Sequence, residues 1–136
     1  MPGSLEGQLS SLGREVFSFY TDLIPRVMSL HSAGFDLAAH LGEQRIPPPV
    51  RALALMQAWF EQAKEQGRLS THADPSALAA AFLGGLHMRA FAEHLAASSG
   101  TARPQDSLGD GAYVDRLVRT LLAAFTGSAP VLEASA

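Results

Sequence analysis

The sequence predicts an all-α fold, a helical bundle of about four long helices of which the first is kinked. Apolar residues recur at spacings of three and four along four segments, which is the period of one helix face. Clusters of proline, glycine and serine separate these segments. No segment has the alternating pattern that strands favour. The 136 residues suit a single domain, with an ordered core expected over about 5–126 and a flexible tail over 128–136.

The first helix is predicted from about Leu5 to Leu41. Proline has no backbone N–H and its ring clashes with the preceding turn, so we expect a kink at Pro25. Gly34 is expected to end or bend the second half. The apolar stripe of this helix begins with Leu5, Leu9, Leu12, Val16, Phe19 and Leu23.

The second helix is predicted from about Pro49 to Gln66. Residues 46–49, Ile-Pro-Pro-Pro, cannot continue the preceding helix, and the last proline suits a first helical turn. Gly67 occupies the position where a left-handed cap is needed.

The third helix is predicted from Asp74, as N-cap, to about Ala97, with Pro75 at its first position. One flank is unusually small, and it includes the adjacent pair Gly84 and Gly85. Glycine inside a helix costs about 1 kcal/mol relative to alanine. The pair therefore indicates close approach of another helix, either within the chain or from a second copy.

Residues 98–109 are rich in serine, glycine and proline and are predicted to form a flexible loop. The last helix is predicted from about Asp110 to Thr126, and Gly127 would cap it. Beyond it, the short polar and small residues of the C-terminus are typical of a disordered tail.

Composition narrows the function. The net charge is −3 and the pI is about 5.9, whereas nucleic-acid binders usually carry a basic face. The absence of cysteine excludes disulfides and thiolate chemistry. The N-terminus lacks the layout of a signal peptide, and the longest uncharged run is too short to span a bilayer. We expect a cytoplasmic protein without a membrane partner.

Three segments together resemble the C-terminal domain of the TetR family of transcriptional regulators. Residues 59–69 end in Gly-Arg-Leu, and residues 74–86 join Asp-Pro to an alanine-rich helix with Phe-Leu-Gly. Residues 114–122 are similar in style to the closing helix of that family.

The resemblance implies an effector-sensing and dimerisation domain of a TetR-type regulator, such as a repressor. The expected partners are a second copy of the chain and a small apolar effector. DNA would be contacted only through an N-terminal helix-turn-helix domain that this sequence does not contain. The alternative is a ligand-free helical dimerisation or interaction module.

The candidate effector site consists of aromatic, methionine and aliphatic residues, which make adaptable apolar cavities with a few polar groups. The alternative is that the same side chains fill the core. The candidate ligand-binding residues are Phe17, Tyr20, Ile24, Met28, Met56, Trp59, Phe60, Phe82, Leu86 and His87.

The dimer is predicted to form through the third and fourth helices, because together they offer more apolar surface than a four-helix monomer can cover. The candidate interface residues are Ala77, Ala81, Gly84, Gly85, Met88, Val114, Leu117, Val118, Leu121, Leu122 and Phe125.

The sequence contains no motif typical of metal binding, cofactor binding or catalysis. His87 and His94 are seven residues apart, so about 10 Å of helix separates them, and they lack the i, i+4 spacing of helical zinc sites. Glu93 and His94 are adjacent and do not face each other on a helix. We therefore predict neither a metal nor a cofactor, and no enzymatic activity.

Overall fold

A computed structural model describes residues 3–34, 36, 48–100 and 109–126, which contain four α-helices and no strand. The helices are α1 (Leu5–Ser32), α2 (Pro48–Glu65), α3 (Pro75–Ser99) and α4 (Asp110–Leu122). The predicted all-α helical bundle is therefore confirmed.

Helix α3 lies at the centre and contacts each of the other three helices. Helix α1 packs on α3 and α4, and α2 packs on α3. Burial of one large apolar side chain contributes about 1.5–3 kcal/mol to the free energy of unfolding. The apolar contacts between α3 and the other three helices therefore stabilise the fold. The largest fully buried side chains are Leu9, Phe60, Phe82, Leu86, Val114 and Val118.

Helix α1 continues past Pro25 and ends at Ser32. The predicted extension of this helix to Leu41 is wrong. The Ala33 N–H still bonds to the Ser29 carbonyl at 3.1 Å, but Gly34 then adopts a left-handed φ of 88°. Glycine reaches this conformation at little cost, which favours a helix end. Residues 37–41 lie outside the described part of the chain, and the kink at Pro25 stays a prediction.

The ends of α2 and the start of α3 agree with the sequence. After α2, Gly67 has a φ of 74°, its N–H bonds to the Lys64 carbonyl at 3.0 Å, and the next N–H bonds to the Ala63 carbonyl at 2.9 Å. This is the expected left-handed cap. At α3, the Asp74 carboxylate accepts from the Ala77 N–H at 3.1 Å, and Pro75 follows as predicted. Residues 46 and 47 of the predicted stop lie outside the described part.

The C-terminal boundaries differ from the predictions. Helix α3 includes Ser98 and Ser99, predicted as loop, because the left-handed residue that ends it is Gly100, with a φ of 70°. Helix α4 ends at Leu122 and not at Thr126. Phe125 follows in a turn, and its carbonyl accepts from the Ser70 N–H at 2.8 Å. The predictions for Gly127 and the tail over 128–136 lie outside the described residues.

Candidate functional site

Helix α3 is apolar on both its inner and its outer face. No charged residue occurs between Asp74 and Arg89. Inward-facing residues such as Phe82 and Leu86 are fully buried, whereas Met88 on the outer side is 61% exposed. A helix that is apolar on two faces is ordinarily covered on both, so the outer face of α3 is a surface that a partner would cover. Helices α1 and α2 also expose large apolar side chains, such as Phe19 and Leu55.

The exposed face forms what we call the α3 stripe. Successive members are separated by four, three, four, three and four residues, and the whole stripe is about 27 Å long at 1.5 Å per residue. Leu95 is 44% exposed and Phe91 is half-buried. Apart from Gly84, its two chain neighbours and the adjacent backbone of α3, no atom of the described residues lies within 4 Å of the position that a Gly84 Cβ would take. The members of the stripe are Ala77, Ala81, Gly84, Met88, Phe91 and Leu95.

The two adjacent glycines of α3 have different surroundings. A Cβ on Gly85 would lie 2.9 Å from a methyl carbon of Leu117, and the Gly85 carbonyl accepts a hydrogen bond from the Tyr113 hydroxyl at 3.0 Å. Gly85 therefore permits the close approach of α4 within the chain. Gly84 has no such contact among the described residues.

Three of the predicted interface residues on α4 are core residues. Val114, Val118 and Leu122 are at most 3% exposed, so they have almost no surface to offer a second copy. That part of the predicted interface needs correction, because the face of α4 that looked unpartnered in the sequence packs within the chain. The other predicted interface residues in this part of the chain are half-buried, namely Leu117 and Leu121 on α4 and Phe125 in the turn after it.

The outer side of α4 carries a surface depression of about 320 Å³. It runs along Tyr113, Arg116, Leu117 and Thr120. Tyr113 and Leu117 also contact Gly85 on α3, so the depression adjoins the α3 surface. The exposed faces of α3 and α4 are therefore contiguous.

A buried cation, which sequence reasoning missed, joins the same two helices. The Arg89 side chain is 6% exposed and bonds to the Glu93 carboxylate at 3.2 Å. Its guanidinium carbon also lies 4.6 Å from the centre of the Tyr113 ring. The i, i+4 spacing of Arg89 and Glu93 was the only signal in the sequence, since Tyr113 is brought there by tertiary packing.

Most of the predicted effector residues lie in the core. The rings of Phe60 and Phe82 meet edge to face, with 6.3 Å between their centres, as aromatic pairs prefer. These side chains therefore pack on one another and fill the interior. The buried members of the predicted set are Phe17, Ile24, Met56, Phe60, Phe82 and Leu86.

The other four predicted residues lie outside the fully buried core. Tyr20 is half-buried and meets His87 edge-on at 5.2 Å, and the exposed His87 stacks on Phe91 at 6.2 Å. Burial raises the pKa of Tyr20 above its ordinary value of 10.0. We call Tyr20, His87 and Phe91 the aromatic edge. The half-buried Met28 packs against the core.

Trp59 lies apart from the aromatic edge. It borders a depression of about 170 Å³ whose other walls are mainly polar and whose lining is Gln62, Ala63, Gln66 and Arg68. Ligand pockets usually measure about 300–1,000 Å³ and are mostly apolar. The ten predicted residues are thus divided between the core, the aromatic edge and this small depression.

Among the residues that the structure describes, no three histidine, aspartate or glutamate side chains come together as metal ligands. Among the described residues, no helix is both long enough and apolar enough to cross a membrane.

No family model matches this sequence, and no curated protein or solved structure matches it either. The TetR resemblance rests on the sequence motifs.

Proposed function

We propose that this chain is a homodimerisation domain that pairs through the α3 stripe and the adjoining face of α4. In this proposal it forms the effector-sensing and dimerisation part of a TetR-type regulator, and a separate helix-turn-helix domain contacts DNA. The observation that carries the proposal is the exposed apolar face of α3, opposite a face that already fills the core.

The size of this face supports pairing. A helix is about 10 Å wide, so the outer faces of α3 and α4 amount to on the order of 500 Å² per chain, or about 1,000 Å² for two copies. This is the lower limit for a specific interface. The charge-free run before Arg89 supports it further, since interface centres are depleted in charged residues.

Two versions of the proposal differ in whether a ligand is bound. The aromatic edge favours a flat apolar effector, because it combines ring faces with a hydroxyl and an imidazole at the boundary of α1 and α3. The burial of Phe60 and Phe82 favours a ligand-free dimerisation module. Stabilisation by a bound ligand separates the two versions.

Light scattering at tens of micromolar protein tests the dimer. The expected mass is twice the 14.4 kDa of one chain. Met88→Glu should weaken the dimer at least about tenfold, because it places a charge in the centre of the interface. Leu55→Glu on α2 is the matched control, since Leu55 is 66% exposed against 61% for Met88. A monomer mass for the unaltered chain, or equal weakening by both variants, would contradict the proposal.

A further inference from the structure

We infer that α3 pairs with α3 of a second copy in antiparallel orientation, with the two-fold axis at the height of Leu86. The inference rests on the proposed dimer and adds its orientation and register. It follows from the order of side-chain sizes along the α3 stripe.

The stripe changes from small to large residues at its midpoint. Ala77, Ala81 and Gly84 form the first half, and Met88, Phe91 and Leu95 form the second half. The spacings of four, three, four, three and four read the same in both directions. The positions of the stripe are therefore symmetric about residue 86, but the side chains before residue 86 are small and those after it are large.

Antiparallel pairing about residue 86 places a small residue against a large one in every layer. In a two-fold interface, residue i contacts residue j and residue j contacts residue i. The layers join Ala77 with Leu95, Ala81 with Phe91, and Gly84 with Met88. Members of the stripe alternate between positions followed by a step of four residues and positions followed by a step of three. Each antiparallel layer joins one position of each kind, as in an antiparallel pair of helices with a heptad repeat. The side chains then fill the space between the helices evenly along the whole stripe.

Parallel pairing would place like against like. Three small layers would be followed by three large ones, and the distance between helix axes, which is about 8–10 Å depending on the side chains, would have to widen along the stripe. Antiparallel pairing keeps this distance constant.

The position of α4 agrees with the antiparallel arrangement. A two-fold axis perpendicular to α3 leaves both copies of α4 on the same side of the α3 pair, which is the arrangement of a four-helix bundle. A two-fold axis parallel to α3 would put the two α4 helices on opposite sides. Leu117 and the Tyr113 hydroxyl, both in contact with Gly85, hold α4 beside the stripe.

Engineered cysteines test the orientation, because the chain has none of its own. Ala77→Cys and Leu95→Cys each replace an exposed residue. A disulfide needs Cα atoms within about 7 Å. In the antiparallel dimer, residue 77 lies opposite residue 95, whereas two copies of residue 77 are about 27 Å apart. One variant carries a mass tag, and the proteins are oxidised with diamide alone and as an equal mixture.

We expect the mixture to form the mixed disulfide and each variant alone to form almost none. Self-crosslinking of Ala77→Cys would show parallel pairing, which overturns the inference and leaves the dimer intact. A dimer mass without any disulfide would place the interface elsewhere, which also overturns it. A monomer mass for the unaltered chain would instead overturn the proposed function. Leu55→Cys mixed with Ala77→Cys is the control, and equal crosslinking there would show random collisions.

A size exchange tests the register without a covalent bond. Gly84→Met alone should weaken the dimer at least about tenfold, since it sets two large side chains in one layer. The double variant Gly84→Met with Met88→Gly should restore most of the affinity, because every layer again holds one small and one large residue. Failure of the second change to restore affinity, with the helix content unchanged by circular dichroism, would contradict the antiparallel register.

Discussion

The guanidinium carbon of Arg89 lies 4.6 Å from the centre of the Tyr113 ring and thereby links α3 to α4. Arg89 also bonds to Glu93 at 3.2 Å, and their side chains are 6% and 15% exposed. A buried charge is tolerated only when it is paired. This contact therefore orients α4 beside the α3 stripe, and the proposed dimer depends on it indirectly.

Replacing Arg89 with methionine should lower the free energy of unfolding by roughly 3 kcal/mol, because the Glu93 carboxylate loses its buried guanidinium. Urea denaturation measures the loss. Arg26→Met is the matched control, since Arg26 also pairs with a carboxylate four residues away, at 3.4 Å, but is 73% exposed. The control should change stability by less than about 0.5 kcal/mol. Similar losses in the two variants would show that burial of the Arg89 pair is unimportant.

Gly13 should not tolerate even a methyl group. A Cβ there would lie 2.7 Å from a methyl carbon of Val114 and 3.2 Å from the Phe82 ring. Gly13→Ala is therefore expected to destabilise the chain by about 1–3 kcal/mol, although alanine is the better helix former. Gly111→Ala on α4 is the control, because its Cβ would meet only the Arg14 side chain, at 3.5 Å. Thermal unfolding that ranks Gly111→Ala below Gly13→Ala would contradict the close α1–α4 contact.

Asp74→Ala should cost about 1 kcal/mol, since the Ala77 N–H loses its carboxylate acceptor. Asp74→Asn should keep most of the stability, because the amide oxygen accepts the same hydrogen bond. Urea denaturation compares the two variants with the unaltered chain. The cap has no effect on the start of α3 if both substitutions prove equally harmless.

Trp59 distinguishes an effector wall from a core position. Trp59 is half-buried, whereas Phe60 is fully buried. Trp59→Ala should therefore cost less than the roughly 3–5 kcal/mol expected for Phe60→Ala. If Trp59 faces an effector, its fluorescence should respond to flat apolar compounds such as naphthalene derivatives, and these should raise the melting temperature. Unchanged fluorescence throughout such a series, together with a full core penalty for Trp59→Ala, would rule out an effector site at this residue.

The helix ends are the features that the sequence predicts most directly, because they depend on local interactions. The caps at Gly67 and Asp74 were predictable, because each depends on backbone groups within a few residues of the cap. The end of α1 near Gly34 and the end of α3 at Gly100 follow the same rule, although α1 ends nine residues before its predicted boundary at Leu41 and α3 ends two residues after its predicted boundary at Ala97. The exposed small and apolar face of α3 was also predictable, since Ala77, Gly84 and Met88 repeat at helical spacing, whereas its role in a dimer stays a prediction.

By itself, the sequence determined that the chain forms helices with apolar faces and that caps lie at Gly67 and Asp74, since period and capping are local properties. Only the tertiary structure decided which apolar faces are covered. Val114 and Val118 face the core. Gly85 lies against α4, whereas Gly84 has no contact with another described helix. Arg89 contacts Tyr113, which lies 24 positions later in the sequence. These outcomes depend on how helices distant in sequence cross and pack, because a periodic stripe looks the same whether its own chain or a second copy covers it.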